Sequence, residues 1–269
     1  MAKHALCIGI NNYPGTDMDL SGCVNDADDW AAELTSRGYA VQKLLDATAT
    51  RAAMVDGIRR VLGDANAGDT VVITFSGHGT VLPDRNGDEA FDQGLCPYDL
   101  MTAGALVDDD IRQLIDGRKP GVQFVLLSDS CHSGSVTRAP DAAGPPRARF
   151  MPPARWLKGE ALARYSQLQE DEEAEVKGIA ASFRKKKEGD LLISGCEDGK
   201  ENYSYDASFN GRPNGAFTWF ALDALKNLAE GASYEAWHAA IRKNLPSGNY
   251  PQAPQLVAGA ATRKRAALT

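Results

Sequence analysis

The chain has 269 residues, 43 % apolar and 24 % charged, with a formal net charge of −7. That is the composition of an ordinary globular chain, long enough to bury one large core, and the acidic balance argues against nucleic acid as a general partner. No stretch is long and apolar enough to span a bilayer, no apolar signal core follows Lys3-His4, and the five cysteines at 7, 23, 96, 131 and 196 show no metal-ligand spacing; the expectation is a cytoplasmic protein with no membrane contact, no disulfide framework and no zinc site.

A first strand is predicted from His4 to Ile10, then a helix from about Val24 to Ser36 stopped by Gly38, and a second strand near Ala40 to Leu45. This is a βαβ beginning. Thr50 is placed to cap a helix running to about Leu62. Thr70 to Phe75 is a continuous apolar run of strand length, as a parallel sheet covered on both faces requires, and it leads into Ser76-Gly77-His78-Gly79. Asp108, Asp109 and Asp110 open a short helix to Asp116. A second apolar run, Val122 to Leu127, leads into Asp129-Ser130-Cys131-His132-Ser133-Gly134, 53 positions after the histidine. From Thr137 to about Pro153 the texture turns to Pro, Gly, Ala and Arg and reads as a surface loop or linker. Residues 154 to 188 are polar and helical in part. A strand from Asp190 to Cys196, helices from about Gly215 to Ala229 and Ser233 to Asn244, and a short strand near Pro254 to Val257 complete the chain. No internal repeat is visible.

Catalytic groups of such α/β sheets collect beyond the carboxyl ends of the strands, so neighbouring strands ending at His78 and Cys131 place an imidazole and a thiol in one crevice. A free thiol is only slightly ionised at neutral pH and needs a base to become a nucleophile; His78 is that base. An attacked carbonyl develops negative charge, and Gly79 and Cys131 are the expected backbone N–H donors to it, a single such donor being worth about 3 to 4 kcal/mol of barrier. No third, orienting acid has convincing spacing, so the expectation is a dyad. Asp129 lies two residues before Cys131 and so shares its side of the strand end. Asp26 follows the first strand and faces the same crevice.

The histidine-to-cysteine spacing fits the caspase pattern, but the Gln-Ala-Cys-x-Gly signature is missing. Asp-Ser-Cys-His-Ser-Gly instead resembles the metacaspases, caspase-like peptidases of bacteria, plants, fungi and protists. Further segments carry the resemblance in order: Ala5 to Tyr13, Leu20 to Ala27, Val107 to Ile111, Leu192 to Cys196 and Pro254 to Leu256. It implies a caspase-like α/β/α sandwich with a mostly parallel central sheet, a single domain with a p20-like region 1–137, a linker 138–188 and a p10-like region 189–269. It also implies a cysteine endopeptidase acting on proteins or peptides; a monomer is the favoured state, which the resemblance does not fix. By the same resemblance Cys23, Asp26, Ser76 and Asp129 line the pocket for the residue before the cut. Two carboxylates in one small cavity repel unless a cation sits between them, so that pocket favours Arg or Lys.

Asp92, Asp108 and Asp109 are read in two ways: as carboxylates at a helix N-terminus and in an acidic loop, or as hard oxygen ligands of the kind that hold Ca2+. In calcium-dependent metacaspases the matching aspartates bind the ion as an activator, and the chemistry itself needs no cofactor. The fourth family ligand position, seven residues after the cysteine, is Arg138 here. An Arg/Lys-directed peptidase meets its own linker constantly, and self-cleavage is expected at Arg147, Arg149 or Arg155 in preference to Arg164 or the Arg184 to Lys187 run. The alternatives are a catalytically weak regulatory or binding module on the same fold, and a redox-sensing thiol, against which stands the lack of a second cysteine near Cys131 in the sequence.

Overall fold

Alternate residues of the buried strands face opposite ways, and two separate hydrophobic cores result. Leu6 and Ile8 of β1 (Lys3–Gly9), Val71, Ile73 and Phe75 of β3 (Thr70–Ser76) and Phe124 and Leu126 of β7 (Gln123–Asp129) pack on one face; Ala5, Cys7, Val72, Val125 and Leu127 from the same strands pack on the other. These contacts belong to a computed structural model that describes residues 1–85, 87, 90–131, 146–169, 180, 183, 189–197 and 203–269.

The strands form a six-stranded sheet in the order β12-β9-β7-β3-β1-β2, with β2 (Ala40–Leu45), β9 (Asp190–Ser194) and β12 (Gln255–Ala258) completing it. Every pairing is parallel except that of β12 with β9. The first face is covered by α1 (Arg51–Asp64) through Met54, Ile58, Val61 and Leu62, and by α2 (Asp108–Asp116) through Ile111 and Ile115. The opposite face takes α3 (Cys23–Ser36) with Ala27, Trp30 and Leu34, α4 (Ala216–Lys226) with Phe217 and Ala221, and α5 (Tyr234–Ile241) with Tyr234, Trp237 and Ile241. This is the α/β/α sandwich expected of a mostly parallel sheet.

Two small sheets rise beyond the carboxyl ends of the main strands. One has the order β4-β5-β6, from β4 (Gly79–Pro83), β5 (Phe91–Leu95) and β6 (Leu106–Val107); the other has the order β11-β10-β8, from β8 (Arg147–Ala148), β10 (Tyr205–Phe209) and β11 (Arg212–Gly215). Neither is in the sequence reading. Thr50 accepts a hydrogen bond from Ala53 N–H and Gly38 takes φ 84°, so the predicted start of α1 and end of α3 have their physical causes in place. The stretch read as a surface loop is corrected at its end: Arg149, Phe150 and Met151 are 0, 2 and 0 % exposed. Residues 137–145 lie outside the described residues.

Candidate active site

Strands β3 and β7 are adjacent with Ser76 opposite Asp129, and β1 lies on the other side of β3 with Gly9 opposite Ser76. His78 and Cys131, each two residues further on, therefore leave the sheet at the same level. His78 is 1 % exposed, its N–H donates to the Tyr13 hydroxyl at 2.8 Å, and the Tyr13 ring packs on the imidazole with 4.8 Å between centroids. Its Nε2 lies 2.6 Å from the Met18 carbonyl oxygen. A carbonyl only accepts, so Nε2 carries the proton and Nδ1 keeps the lone pair of a base. Burial holds the imidazole down at about 4 and pushes the Cys131 thiol up, so both are neutral near pH 7. The orienting group is thus a backbone carbonyl, which no side-chain pattern in a sequence can announce.

The Cys131 sulfur accepts a hydrogen bond from Ser204 N–H and lies 3.5 Å from the sulfur of Cys196. A second thiol therefore does stand beside Cys131. It is 65 residues away in sequence, and the argument from sequence distance against a redox-active pair does not survive folding.

One main-chain carbonyl occupies the crevice. The Arg149 oxygen accepts from Gly79 N–H at 3.0 Å and from Cys131 N–H at 3.1 Å, while Arg149 N–H donates to the Ser204 carbonyl at 2.8 Å. Those two amides are the pair singled out in the sequence as donors. The side chain runs inward. Arg149 Nη2 is 2.7 Å from Asp26 and 2.9 Å from Asp206, and Nη1 is 3.2 Å from Asp129, with every partner buried.

Each carboxylate is itself oriented: Asp26 accepts from Gly215 N–H and Asn214 Nδ2, Asp129 from Thr218 N–H and Oγ1, and Asp206 from Ser21 and Gly22 N–H. A Cβ at position 215 would come within 2.1 Å of Asp129 Oδ2 and 2.4 Å of Arg149 Nη1, so only glycine fits there. Burial raises the Asp26 carboxyl, and the Arg149 charge beside it works in the opposite direction and favours its ionised form.

Of the sequence candidates, Asp26 and Asp129 meet on the guanidinium. Cys23 is buried at the start of α3 within electrostatic reach of Arg149, and Ser76 stands level with Asp129 in the sheet register. Asp206 was missed. The signal for its hairpin was present in Asn210-Gly211, which turn between β10 and β11 with φ of 53° and 80°. Arg147 donates to the Asp19 carbonyl and Arg155 pairs with Asp17 at the surface. Of the three proposed self-cleavage positions, only Arg149 puts its carbonyl between the two amides.

The acidic group lies apart, on the β4-β5-β6 side. Asp92 is buried and its carboxyl is pushed up to about 6 by that burial and by Asp84. Arg85 reaches Asp92 at 3.4 Å and Asp110 at 3.2 Å, and Asp108 accepts from Gln93 N–H. Asp109 lines a shallow surface depression with Arg85, Asp110 and Arg112. Among the described residues no three His, Cys, Asp or Glu side chains are placed to share one ion. Arg138 and Arg184 to Lys187 lie outside the described residues. No helix among the described residues is long and apolar enough to cross a membrane.

A family model described as the caspase domain matches residues 2–265. A metacaspase-1 of Meyerozyma guilliermondii is 30 % identical, covering 94 % of this chain and 68 % of its own. Metacaspase-4 of Arabidopsis thaliana is 40 % identical over 51 % of this chain and 34 % of its own. A crystal structure of a Geobacter sulfurreducens protein superposes with a TM-score of 0.74 at 30 % identity, covering 100 % of this chain and 99 % of that one. The chain belongs to the caspase-domain family of cysteine endopeptidases and is similar to metacaspases over nearly its whole length.

Proposed function

We propose that the protein cuts peptide bonds after Arg or Lys by means of Cys131 and His78, and that its first substrate is its own Arg149–Phe150 bond. The observation that carries this reading is the Arg149 residue itself, whose carbonyl is held by two amides beside the thiol while its guanidinium fills a pocket of three carboxylates. His78 Nδ1 takes the thiol proton as the sulfur attacks the Arg149 carbonyl carbon. The oxyanion gathers on an oxygen already facing Gly79 and Cys131 N–H, the Phe150 amine leaves with the proton from His78, and water then hydrolyses the thioester. While the linker is intact, no other chain has access to the pocket.

Specificity follows from charge. A cation before the cut pairs with Asp26, Asp129 and Asp206, whereas an Asp side chain adds a fourth buried negative charge. With fluorogenic peptides differing only at that position, kcat/KM for Arg or Lys should exceed that for Asp by a factor of roughly one hundred or more, since charged hydrogen bonds contribute about 1.5 to 3 kcal/mol each. Preferential cleavage after Asp would refute the assignment.

Calcium is proposed as an activator. The buried Asp92 carboxyl is crowded by Asp84, a pair of acidic groups that suits a cation, and Arg85 now offsets the charge of Asp92. Millimolar Ca2+ should raise activity several-fold and Asp109→Ala should blunt the response. Equal rates in calcium and in chelator would leave the acidic group a purely structural one.

A further inference from the structure

The chain beyond Arg149 is held as closely as the chain before it. On the upstream side, β8 pairs antiparallel with β10, Ala148 opposite Tyr205. On the downstream side, the Gly79 carbonyl accepts from Met151 N–H at 2.8 Å, so Gly79 bridges Phe150 in a parallel pairing while its own N–H serves the Arg149 oxygen. Thr80, 0 % exposed, donates its hydroxyl to the Met151 carbonyl at 2.8 Å and accepts from the Trp156 indole at 3.0 Å. An indole N–H can only donate, so it takes a lone pair of Thr80 and leaves the hydroxyl proton aimed at Met151. The buried Phe150 ring meets Tyr203 with 6.4 Å between centroids and 59° between planes, and Met151 has no exposed surface.

Resting on the reading of the site given above, we propose that Gly79, Thr80 and Tyr203 form a recognition site for the two residues after the cut, selecting an aromatic residue first and a long apolar residue second. Edge pairing with Gly79 supplies sequence-independent affinity, and the side-chain pockets supply choice, as when a peptide adds to a sheet edge. A charged residue in either pocket would be buried with no partner. Cleavage after Arg149 frees Phe150 and Met151 from Arg149, and an incoming chain takes their place against Gly79 and Thr80.

The test uses the self-cleaved protein and three probes: an acetyl-Ala-Arg coumarin amide, which places one aromatic leaving group after the cut and no second residue for Thr80 to bind, and two internally quenched peptides containing Ala-Arg-Phe-Met or Ala-Arg-Asp-Ser. The Phe-Met peptide should be cut with a kcat/KM about tenfold or more above that of the Asp-Ser peptide, a factor typical of filling apolar pockets. The ratio of kcat/KM on the Phe-Met peptide to that on the coumarin amide should fall roughly fivefold in Thr80→Val, the size of one lost hydrogen bond, and be retained in Thr80→Ser. Equal rates on the two peptides, or failure of both while the coumarin amide is cut, would overturn the site after the cut and leave the peptidase reading standing. Failure of all three probes would bring down that reading and the recognition site with it.

Discussion

Cys131→Ala and His78→Ala should each lower peptide turnover by about a thousandfold or more, because removing either member of a nucleophile–base unit costs nearly the whole chemical contribution of the pair. The fold should persist in Cys131→Ala. Cys131 lies two residues past β7 in the first core, and the change to alanine removes only its sulfur atom there while leaving the second core untouched. Circular dichroism and thermal melting of the variants, read beside their rates, separate chemistry from stability. Near wild-type turnover in Cys131→Ala would contradict the mechanism.

The second large effect is on stability. In the Cys131→Ala background, where the linker stays intact, Arg149→Met should destabilise the protein by about 3 to 5 kcal/mol, because removing one partner of a buried ionic group leaves uncompensated charges. The guanidinium is wholly buried among Asp26, Asp129 and Asp206, so those carboxylates would face one another without a cation. The deficit should depend on pH in a definite direction. The Asp26 carboxyl is raised by burial and lowered by Arg149, so losing the arginine raises it further. A carboxyl raised in the folded state favours folding below its unfolded value, about 4, and loses that contribution as pH rises through the folded value. The variant should therefore lie closest to its parent near pH 5 and furthest from it near pH 8. A melting-temperature difference that is flat across this range would show that the carboxylates do not depend on Arg149.

The strand runs at 70–75 and 122–127 are recoverable from sequence because strands buried on both faces must be apolar throughout, and the flanking Thr50 and Gly38 mark helix ends through capping and positive φ. Adjacency of two such strands then places His78 beside Cys131. What sequence could not supply came from long-range backbone placement. The Met18 carbonyl that orients His78 is 60 residues away and carries no side-chain signature. Asp206 reaches the pocket from a hairpin whose strands are short and whose alternation is broken by Pro213. Arg149 lies in a segment rich in Pro, Gly and Arg, which composition assigns to the surface. It is buried because three carboxylates and two amides await it, and no local window of sequence contains them.

The most direct test of self-recognition at Arg149 is N-terminal sequencing and intact-mass analysis of the purified wild type beside Cys131→Ala. A new N-terminus at Phe150 in the wild type, absent from the variant, is the predicted result. An active wild-type protein that stays uncut at Arg149, or a Phe150 terminus that appears equally in Cys131→Ala, would contradict it.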